Sequence, residues 1–244
     1  MSRFGAVVVP EDLESEAEDE HVKSDWRELL RTPLFGQTMV IMLLGLGVGL
    51  VLFGFNLWIP TNLRKLGFTD VTADRVLRDS SLMGFPFTFL VAWMYGFWSS
   101  KKTIILLSAL TAGSLFAFSI LGDAVVNNRA LLYVLLVIPI WGINTVTAVI
   151  SVYASEIYPT RVRSRGAGFA AGAAKAGGVL IITLVVLNVA VPSLAQTTLI
   201  GAVPMAIAAV LFVIVGVETR NRRLEDISRS AFAGVAPAVE SRHP

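Results

Sequence analysis

A short polar segment lies between two long apolar stretches and runs Ser155-Glu156-Ile157-Tyr158-Pro159-Thr160-Arg161-Val162-Arg163-Ser164-Arg165-Gly166-Ala167-Gly168. Pro159 predicts that a helix ends here, because the residue before a proline is pushed out of the α-helical region. Glu156 therefore falls in the last helical turn, where the negative end of the helix dipole disfavours a carboxylate. Arg161, Arg163 and Arg165 can offset this cost, which predicts an ionic latch. The alternative is that these arginines only anchor the helix end at the membrane surface.

The sequence on either side of this segment is apolar enough to cross a membrane. Of the 244 residues, 55% are hydrophobic and 16% are charged, and the mean hydropathy is +0.69. A charge at the bilayer centre costs roughly 2.5–3.5 kcal/mol, so long runs without Asp, Glu, Lys or Arg mark the spans. The runs predict an all-α integral membrane protein with six transmembrane helices, at about residues 34–59, 80–98, 103–122, 130–157, 166–190 and 195–217.

Both ends of the chain are polar. Residues 1–33 hold nine of the eighteen acidic side chains and are interpreted as an acidic tail with a juxtamembrane linker. Residues 218–244 are interpreted as a basic tail, and Pro192-Ser193 as the turn between the last two spans. Fourteen Lys and Arg side chains lie in the segments on the side of the termini and five on the opposite side. This bias predicts that both termini are cytoplasmic, in a plasma or bacterial inner membrane.

The composition argues against an intramembrane enzyme. The chain has no cysteine, and its two histidines, His21 and His243, lie in the polar tails. No span carries a carboxylate near its centre, so paired carboxylates for acid–base or metal chemistry are missing. We therefore expect no catalytic residue, no metal, no cofactor and no nucleic-acid partner.

Three motifs carry a resemblance to a known family. Residues 156–163, Glu-Ile-Tyr-Pro-Thr-Arg-Val-Arg, with Gly166, resemble the cytoplasmic connection after the tenth helix of major facilitator superfamily transporters, most of all those of the sugar-porter and organic-ion branches. Residues 217–227 resemble the tail after the twelfth helix, and residues 66–69 give a third, weaker match. The resemblance implies that the six spans correspond to helices seven to twelve, arranged as a 3+3 inverted repeat, and that the N-terminal half is not in this chain.

Two departures from the family pattern bear on the gate and on the substrate, respectively. Residues 95–102 keep only the basic pair, Lys101-Lys102, of a loop that often carries an acid as well. Residues 147–151 lack the Pro-containing element of hexose carriers. The resemblance therefore implies alternating-access transport of a small organic solute, with an organic or aromatic acid favoured over a hexose. The alternative is a transport-inactive membrane scaffold, or a gene fragment of such a carrier.

Carriers of this kind bind substrate near the bilayer midplane, so polar and aromatic residues inside spans are the candidates. The predicted substrate-lining residues are Asn56, Trp58, Trp141, Asn144, Thr145 and Lys175. Lys175 is the only charge well inside a span, which predicts a counter-ion for an anionic substrate. The alternatives are that Lys175 extends towards the cytoplasm and that each Asn only ties two helices together.

The cytoplasmic gate is predicted from the charged ends of the spans. Its candidates are Glu156, Arg161, Arg163, Arg165, Glu218 and Arg222. The expected partners are the lipid bilayer, a small-molecule substrate, a co-transported proton, and either an N-terminal six-helix half or a second copy. Pairs of glycines four residues apart, Gly45 with Gly49 and Gly168 with Gly172, predict close helix packing.

Overall fold

The computed structural model describes residues 29–30, 34–65, 69–121, 124–125, 128–187 and 194–220. The predicted turn at Pro192-Ser193, the acidic run and nearly all of the basic tail lie outside these residues. Within the described ranges the chain forms six long helices and no strand. Each helix is long and apolar enough to cross a bilayer, which confirms the predicted all-helical membrane fold.

The helices are numbered α1 to α6 in chain order. Two of them contain a π-helical turn, a local widening that is frequent at functional sites. The bounds are Phe35–Leu50, a π-helical turn at Val51–Phe55 and Asn56–Lys65 for α1; Asp70–Trp93 and a π-helical turn at Met94–Trp98 for α2; Ser100–Leu121 for α3; Arg129–Ile157 for α4; Thr160–Val186 for α5; and Leu194–Val215 for α6.

The helix pairs follow the pattern that an inverted repeat requires. Helix α1 packs against α5 and α6, and α4 packs against α2 and α3, while α3 and α6 pack against each other. The same set of pairs results when α1 is exchanged with α4, α2 with α5 and α3 with α6. The first and fourth helices are therefore equivalent, as are the second and fifth, and the third and sixth.

Helices α1 and α5 meet through backbone rather than through side chains. A Cβ atom built on Gly49 would lie 1.9 Å from the carbonyl oxygen of Ala174, and one on Gly45 would lie 2.7 Å from that of Ala170. Only glycine fits such an approach. The predicted packing at Gly168 and Gly172 is not formed among the described residues, because both have open space beside them.

The substitution Gly49→Ala should destabilise the protein by about 2 kcal/mol, because the added methyl group forces α1 away from the α5 backbone. Gly172→Ala is the matched control in the partner helix and should be neutral or slightly stabilising, because alanine favours the helix. Thermal unfolding of the purified protein in detergent measures both changes. Equal melting temperatures for the two variants would contradict the close contact.

Helix α4 contains a proline in its interior, and a neighbouring helix compensates for it. Pro139 has no N–H, so the carbonyl of Leu135 loses its helical partner. The Ser114 hydroxyl of α3 donates a hydrogen bond to this carbonyl at 3.0 Å. A peptide group inside a bilayer needs such a partner, because lipid tails cannot supply one.

Removing the Ser114 hydroxyl should therefore cost about 1 kcal/mol in Ser114→Ala. In a Pro139→Ala background, position 139 regains its N–H and can satisfy the Leu135 carbonyl itself. The same Ser114→Ala change should then have little effect. Unfolding of the four proteins in mixed detergent micelles gives the coupling free energy between the two positions, and a coupling near zero would show that Ser114 does not serve this carbonyl.

Candidate functional site

One cluster of polar side chains joins the ends of four helices. It lies where α2 ends, α3 begins, and α4 and α6 end. We call it the helix-end cluster, and it comprises Tyr95, Ser99, Ser100, Glu156, Glu218 and Thr219. Its members are separated by up to about 120 residues in the chain, so it forms only when the bundle is assembled.

Glu218 caps the N-terminus of α3. One carboxylate oxygen accepts hydrogen bonds from the Ser100 backbone N–H at 3.0 Å and from the Ser100 hydroxyl at 2.6 Å. The other oxygen accepts one from the Ser99 hydroxyl. Ser99 itself accepts a hydrogen bond from the backbone N–H of Lys102 at 3.0 Å, as an N-cap serine does. A negative charge at this place is favoured by the positive end of the α3 dipole.

The surroundings of Glu218 favour its ionised form. Partial burial alone would raise the pKa of its carboxyl, but the hydrogen bonds from Ser100 and Ser99 and from backbone N–H groups outweigh burial. The pKa therefore lies below the ordinary value of 4.5. Glu218 is a fixed anion at neutral pH.

Glu156 occupies the unfavourable C-terminal end of α4, as the sequence predicts. Its Oε2 atom accepts a hydrogen bond from the Tyr95 hydroxyl at 2.7 Å and another from the Thr219 hydroxyl. The donors described for this carboxylate are thus hydroxyls of α2 and of the segment after α6. The Thr219 N–H also donates to Ser100 Oγ at 3.1 Å, which links the two carboxylates.

Two tyrosines fix the ends of α4 and α6. The Tyr153 hydroxyl both donates to the carbonyl and accepts from the N–H of Val217, each at 2.8 Å. Tyr158 has extended backbone, so α4 ends at Ile157 as Pro159 predicts. Its hydroxyl donates to Thr38 of α1 at 3.1 Å, and its ring lies where a Cβ atom on Gly166 would stand. Gly166 therefore makes room for the Tyr158 ring.

The predicted gate arginines are only partly described. The Arg163 side chain is half-buried, and its Nε atom is buried without a hydrogen-bond partner among the described residues. Arg165 is exposed at the rim of a cavity of about 450 Å³ that Gly168 and Gly172 also line. The side chain of Arg161 and the whole of Arg222 lie outside the described part of the chain. The arginine latch of Glu156 therefore stays a prediction.

The predicted substrate-lining residues of α4 share one region. Trp141 Nε1 donates to the Thr88 hydroxyl of α2 at 3.2 Å, and its ring lies 5.6 Å from the Phe87 ring. Asn144 is exposed one turn further on and donates to its own helix at the carbonyl of Ile140. Thr145 is buried and donates to the carbonyl of Trp141.

The other three candidates lie on α1 and α5. Lys175 is exposed on α5, and its Nζ atom lies 5.8 Å from the centre of the Phe53 ring of α1. Asn56 directly follows the π-helical turn of α1, and its Oδ1 atom is buried without a partner among the described residues. Trp58 is half-buried in the same helix.

Sequence reasoning missed several residues that the structure assigns to these sites. Tyr95, Ser99, Ser100 and Thr219 complete the helix-end cluster, and only the Ser99-Ser100 pair before a helix carries a recognisable capping signal. A polar stripe on α4 was also missed. It comprises Asn144, Thr147, Ser151 and Ser155, all exposed and spaced by three or four residues. This helical period was visible in the sequence.

The substitution Glu218→Gln should lower the free energy of unfolding at pH 7 by about 1 kcal/mol, because α3 loses an ionised cap. Asp79→Asn is the control. It breaks only an exposed pair with Arg78 and should cost less than about 0.5 kcal/mol.

The stabilisation by Glu218 should also depend on pH. Because folding lowers the Glu218 pKa, this stabilisation is complete above pH 4.5 and is lost as the pH falls below it. Melting temperatures measured against pH should show the Glu218→Gln protein and the parent protein converging in acid. A melting-temperature difference that stays constant with pH would contradict the assigned cap.

Comparison with known proteins agrees with this architecture. The sequence profile of the sugar (and other) transporter family matches residues 8–231. A protein of Bacillus subtilis named "Putative niacin/nicotinamide transporter NiaP" is 26% identical over 211 residues, covering 84% of this chain and 50% of the relative. The "Niacin transporter NiaP" of Acinetobacter baylyi is 24% identical over 209 residues, which cover 83% of this chain and 45% of that relative.

The chain thus spans about half the length of the curated relatives it matches. The profile covers nearly the whole chain, and six apolar helices of spanning length accompany it. These findings confirm the resemblance to major facilitator superfamily transporters. The chain is an integral membrane protein and belongs to the sugar (and other) transporter family.

Proposed function

We propose that this chain forms one half of an alternating-access carrier for a small aromatic or other organic acid. The observation that carries the proposal is the polar stripe of α4, which runs from Asn144 to Ser155 on an uncovered face of the bundle. Polar side chains inside a span face a partner or a water-filled path rather than lipid. The stripe therefore lines a path that a second six-helix unit completes.

The least buried helices indicate where that second unit packs. Most of the apolar stretch of α2 and of α5 is exposed, whereas most of that of α1 is buried. Helix α2 presents large exposed aromatic side chains, among them Phe85, Phe89 and Trp93. Since the chain spans half of its relatives, the covering unit is an N-terminal six-helix half or a second copy of this chain.

An aromatic carboxylate fits the residues on this uncovered surface. The Phe87 and Trp141 rings can stack on an aromatic solute. The Asn144 amide nitrogen donates one N–H to the Ile140 carbonyl and has a second N–H that can donate to a carboxylate. Lys175 supplies a positive charge inside a span. Asn56, whose Oδ1 atom is buried without a partner among the described residues, stays a predicted lining residue on α1. Niacin, which the two relatives are named for, is a small aromatic acid of this kind.

The helix-end cluster is assigned to the gate. It holds the ends of α2, α3, α4 and α6 together through Glu156 and Glu218, so its opening would release several helix ends at once. The start of α1 and the end of α6 lie on the side of this cluster, because Gly36 of α1 contacts Val215 of α6. The excess of Lys and Arg on that side supports a cytoplasmic location. A co-transported proton would use a carboxylate of the other half.

Uptake tests the function with a charged and a neutral substrate of the same shape. The chain is co-expressed with the N-terminal half of the Bacillus subtilis relative, and nicotinate and nicotinamide uptake are measured. Lys175→Gln should lower nicotinate uptake about tenfold, equivalent to about 1.4 kcal/mol, because the carboxylate loses its counter-ion. Nicotinamide uptake should change little. Asn144→Ala should lower uptake of both substrates, because the Asn144 side chain contacts the ring that nicotinate and nicotinamide share.

Three outcomes would contradict the proposal. Equal uptake by the parent and the Lys175→Gln protein would remove the counter-ion role, and equal uptake by Asn144→Ala would remove the polar stripe from the substrate path. Absence of uptake from the co-expressed halves and from the chain alone, with the protein present in the membrane, would favour a transport-inactive scaffold.

A further inference from the structure

A second cavity lies beside the helix-end cluster and is cationic. It has a volume of about 570 Å³ and lies between the end of α2, the start of α3 and the segment after α6. We call it the basic pocket, and its lining includes Trp98, Lys101, Lys102, Ile105, Glu218 and Arg220. The Lys102 ammonium lies 5.7 Å from the centre of the Trp98 ring, and the Arg220 guanidinium donates to the Trp98 carbonyl at 2.9 Å.

The positive charges of the basic pocket exceed the negative charge within it. Lys101 and Lys102 form no ion pair among the described residues. Glu218, the one carboxylate in the lining, is already bound by two serine hydroxyls and by backbone N–H groups. Together with Arg220, the lysines leave the lining with an excess of two positive charges, which favours an anionic ligand.

The basic pocket lies at the depth where a span meets lipid headgroups. Lys101 and Lys102 directly precede the uncharged run of residues 103–121, which forms the rest of α3. The Trp98 ring is exposed beside them. Tryptophan is enriched at the membrane–water boundary, and lysine extends its ammonium group towards the headgroups. A ligand in this pocket therefore lies between water and hydrocarbon.

An exposed face of α3 continues from the pocket towards the bilayer centre. Leu106 and Leu110 follow Lys102 at intervals of four residues, so the three side chains share one face of the helix. Gly113 lies on the same face and has open space beside it. The proposed second six-helix unit packs on α2 and α5, which leaves this face of α3 to lipid.

We propose that the basic pocket binds the phosphate headgroup of an anionic phospholipid, with one acyl chain along the exposed face of α3. The ammonium groups of Lys101 and Lys102 donate hydrogen bonds to the phosphate oxygens, as do the free N–H groups of the Arg220 guanidinium. The Trp98 ring packs at the level of the glycerol esters. The bilayer presents its anionic headgroups at this depth, which favours a lipid over a free phosphate that must leave the water.

The bound headgroup would join two elements of the bundle. Lys101 and Lys102 belong to α3, whereas Arg220 belongs to the segment after α6. Glu218 of that segment already caps α3, and the phosphate occupies the cations beside it rather than the cap. The lipid therefore reinforces an existing contact, and its binding should raise the thermal stability of the protein.

Thermal unfolding of the full chain in neutral detergent tests the site. Dioleoyl phosphatidylglycerol is the probe, and dioleoyl phosphatidylcholine is the control with the same chains and no net charge. Glycerophosphoglycerol and inorganic phosphate supply a comparable anion without acyl chains. Native mass spectrometry of the same samples counts the bound lipid molecules.

Paired variants separate the pocket from the overall charge of the protein. Lys101→Gln with Lys102→Gln removes two positive charges from the pocket. Arg75→Gln with Arg78→Gln is the matched control, because it removes the same charge from exposed positions near the opposite end of α2. Should the lysine variant fail to fold, Arg220→Gln makes the same test from the segment after α6.

Saturating phosphatidylglycerol should raise the melting temperature of the parent and of the arginine control by at least about 4 °C. The lysine variant should lose at least about half of this rise and retain about fivefold less phosphatidylglycerol, because the phosphate has lost two donors. Phosphatidylcholine and the two soluble anions should move the melting temperature by less than about 1 °C.

Three results would overturn the proposal. An equal response of the lysine variant and the arginine control would show that the basic pocket does not hold the headgroup. Equal stabilisation by phosphatidylcholine would show that the headgroup charge is not recognised. Equal stabilisation by glycerophosphoglycerol or inorganic phosphate would assign the pocket to a soluble anion. The assay contains no transported substrate, so it succeeds or fails independently of the proposed function.

Discussion

A peptide group inside a bilayer has no water to bond with, and this constraint governs the architecture of the chain. The backbone of six described helices is bonded within each helix, and prolines interrupt this bonding at a few positions. The carbonyl freed by Pro139 receives the Ser114 hydroxyl from the neighbouring helix. Polar side chains of α4, such as Asn144 and Thr147, donate to carbonyls of their own helix. The polar stripe thus remains compatible with a span.

The helix ends are subject to a different constraint, because their terminal peptide groups have no partner in the same helix. The chain satisfies one of them, the Ser100 N–H of α3, with the segment that follows α6. Glu218 caps α3, while Thr219 approaches the carboxylate of Glu156 at the end of α4. One short segment, which itself continues from α6, therefore joins the ends of α3, α4 and α6 on one side of the bundle. This arrangement is the reason why we propose the gate on that side of the bundle.

In contrast to the joined helix ends, the faces of α2 and α5 are largely uncovered. Helices α1 and α5 approach each other closely where Gly49 faces the Ala174 carbonyl, yet the rest of α5 is largely uncovered. Helix α2 likewise contacts α4 but leaves its aromatic side chains exposed. In the inverted repeat these are equivalent helices. Their uncovered faces and the polar stripe beside them form the surface on which the proposed second six-helix unit would pack.

The sequence by itself determined the number of helices and the membrane setting, because charged side chains are too costly in hydrocarbon to interrupt a span. It also determined that α4 ends at Ile157, since Pro159 acts on its immediate neighbour. The tertiary structure decided the partners. Glu156 is bound by Tyr95 and Thr219, which lie 61 and 63 residues away and carry no pattern that links them. Glycine spacing alone predicted two close contacts, but only the pair Gly45 and Gly49 faces another helix, because spacing defines a helix face and not its neighbour.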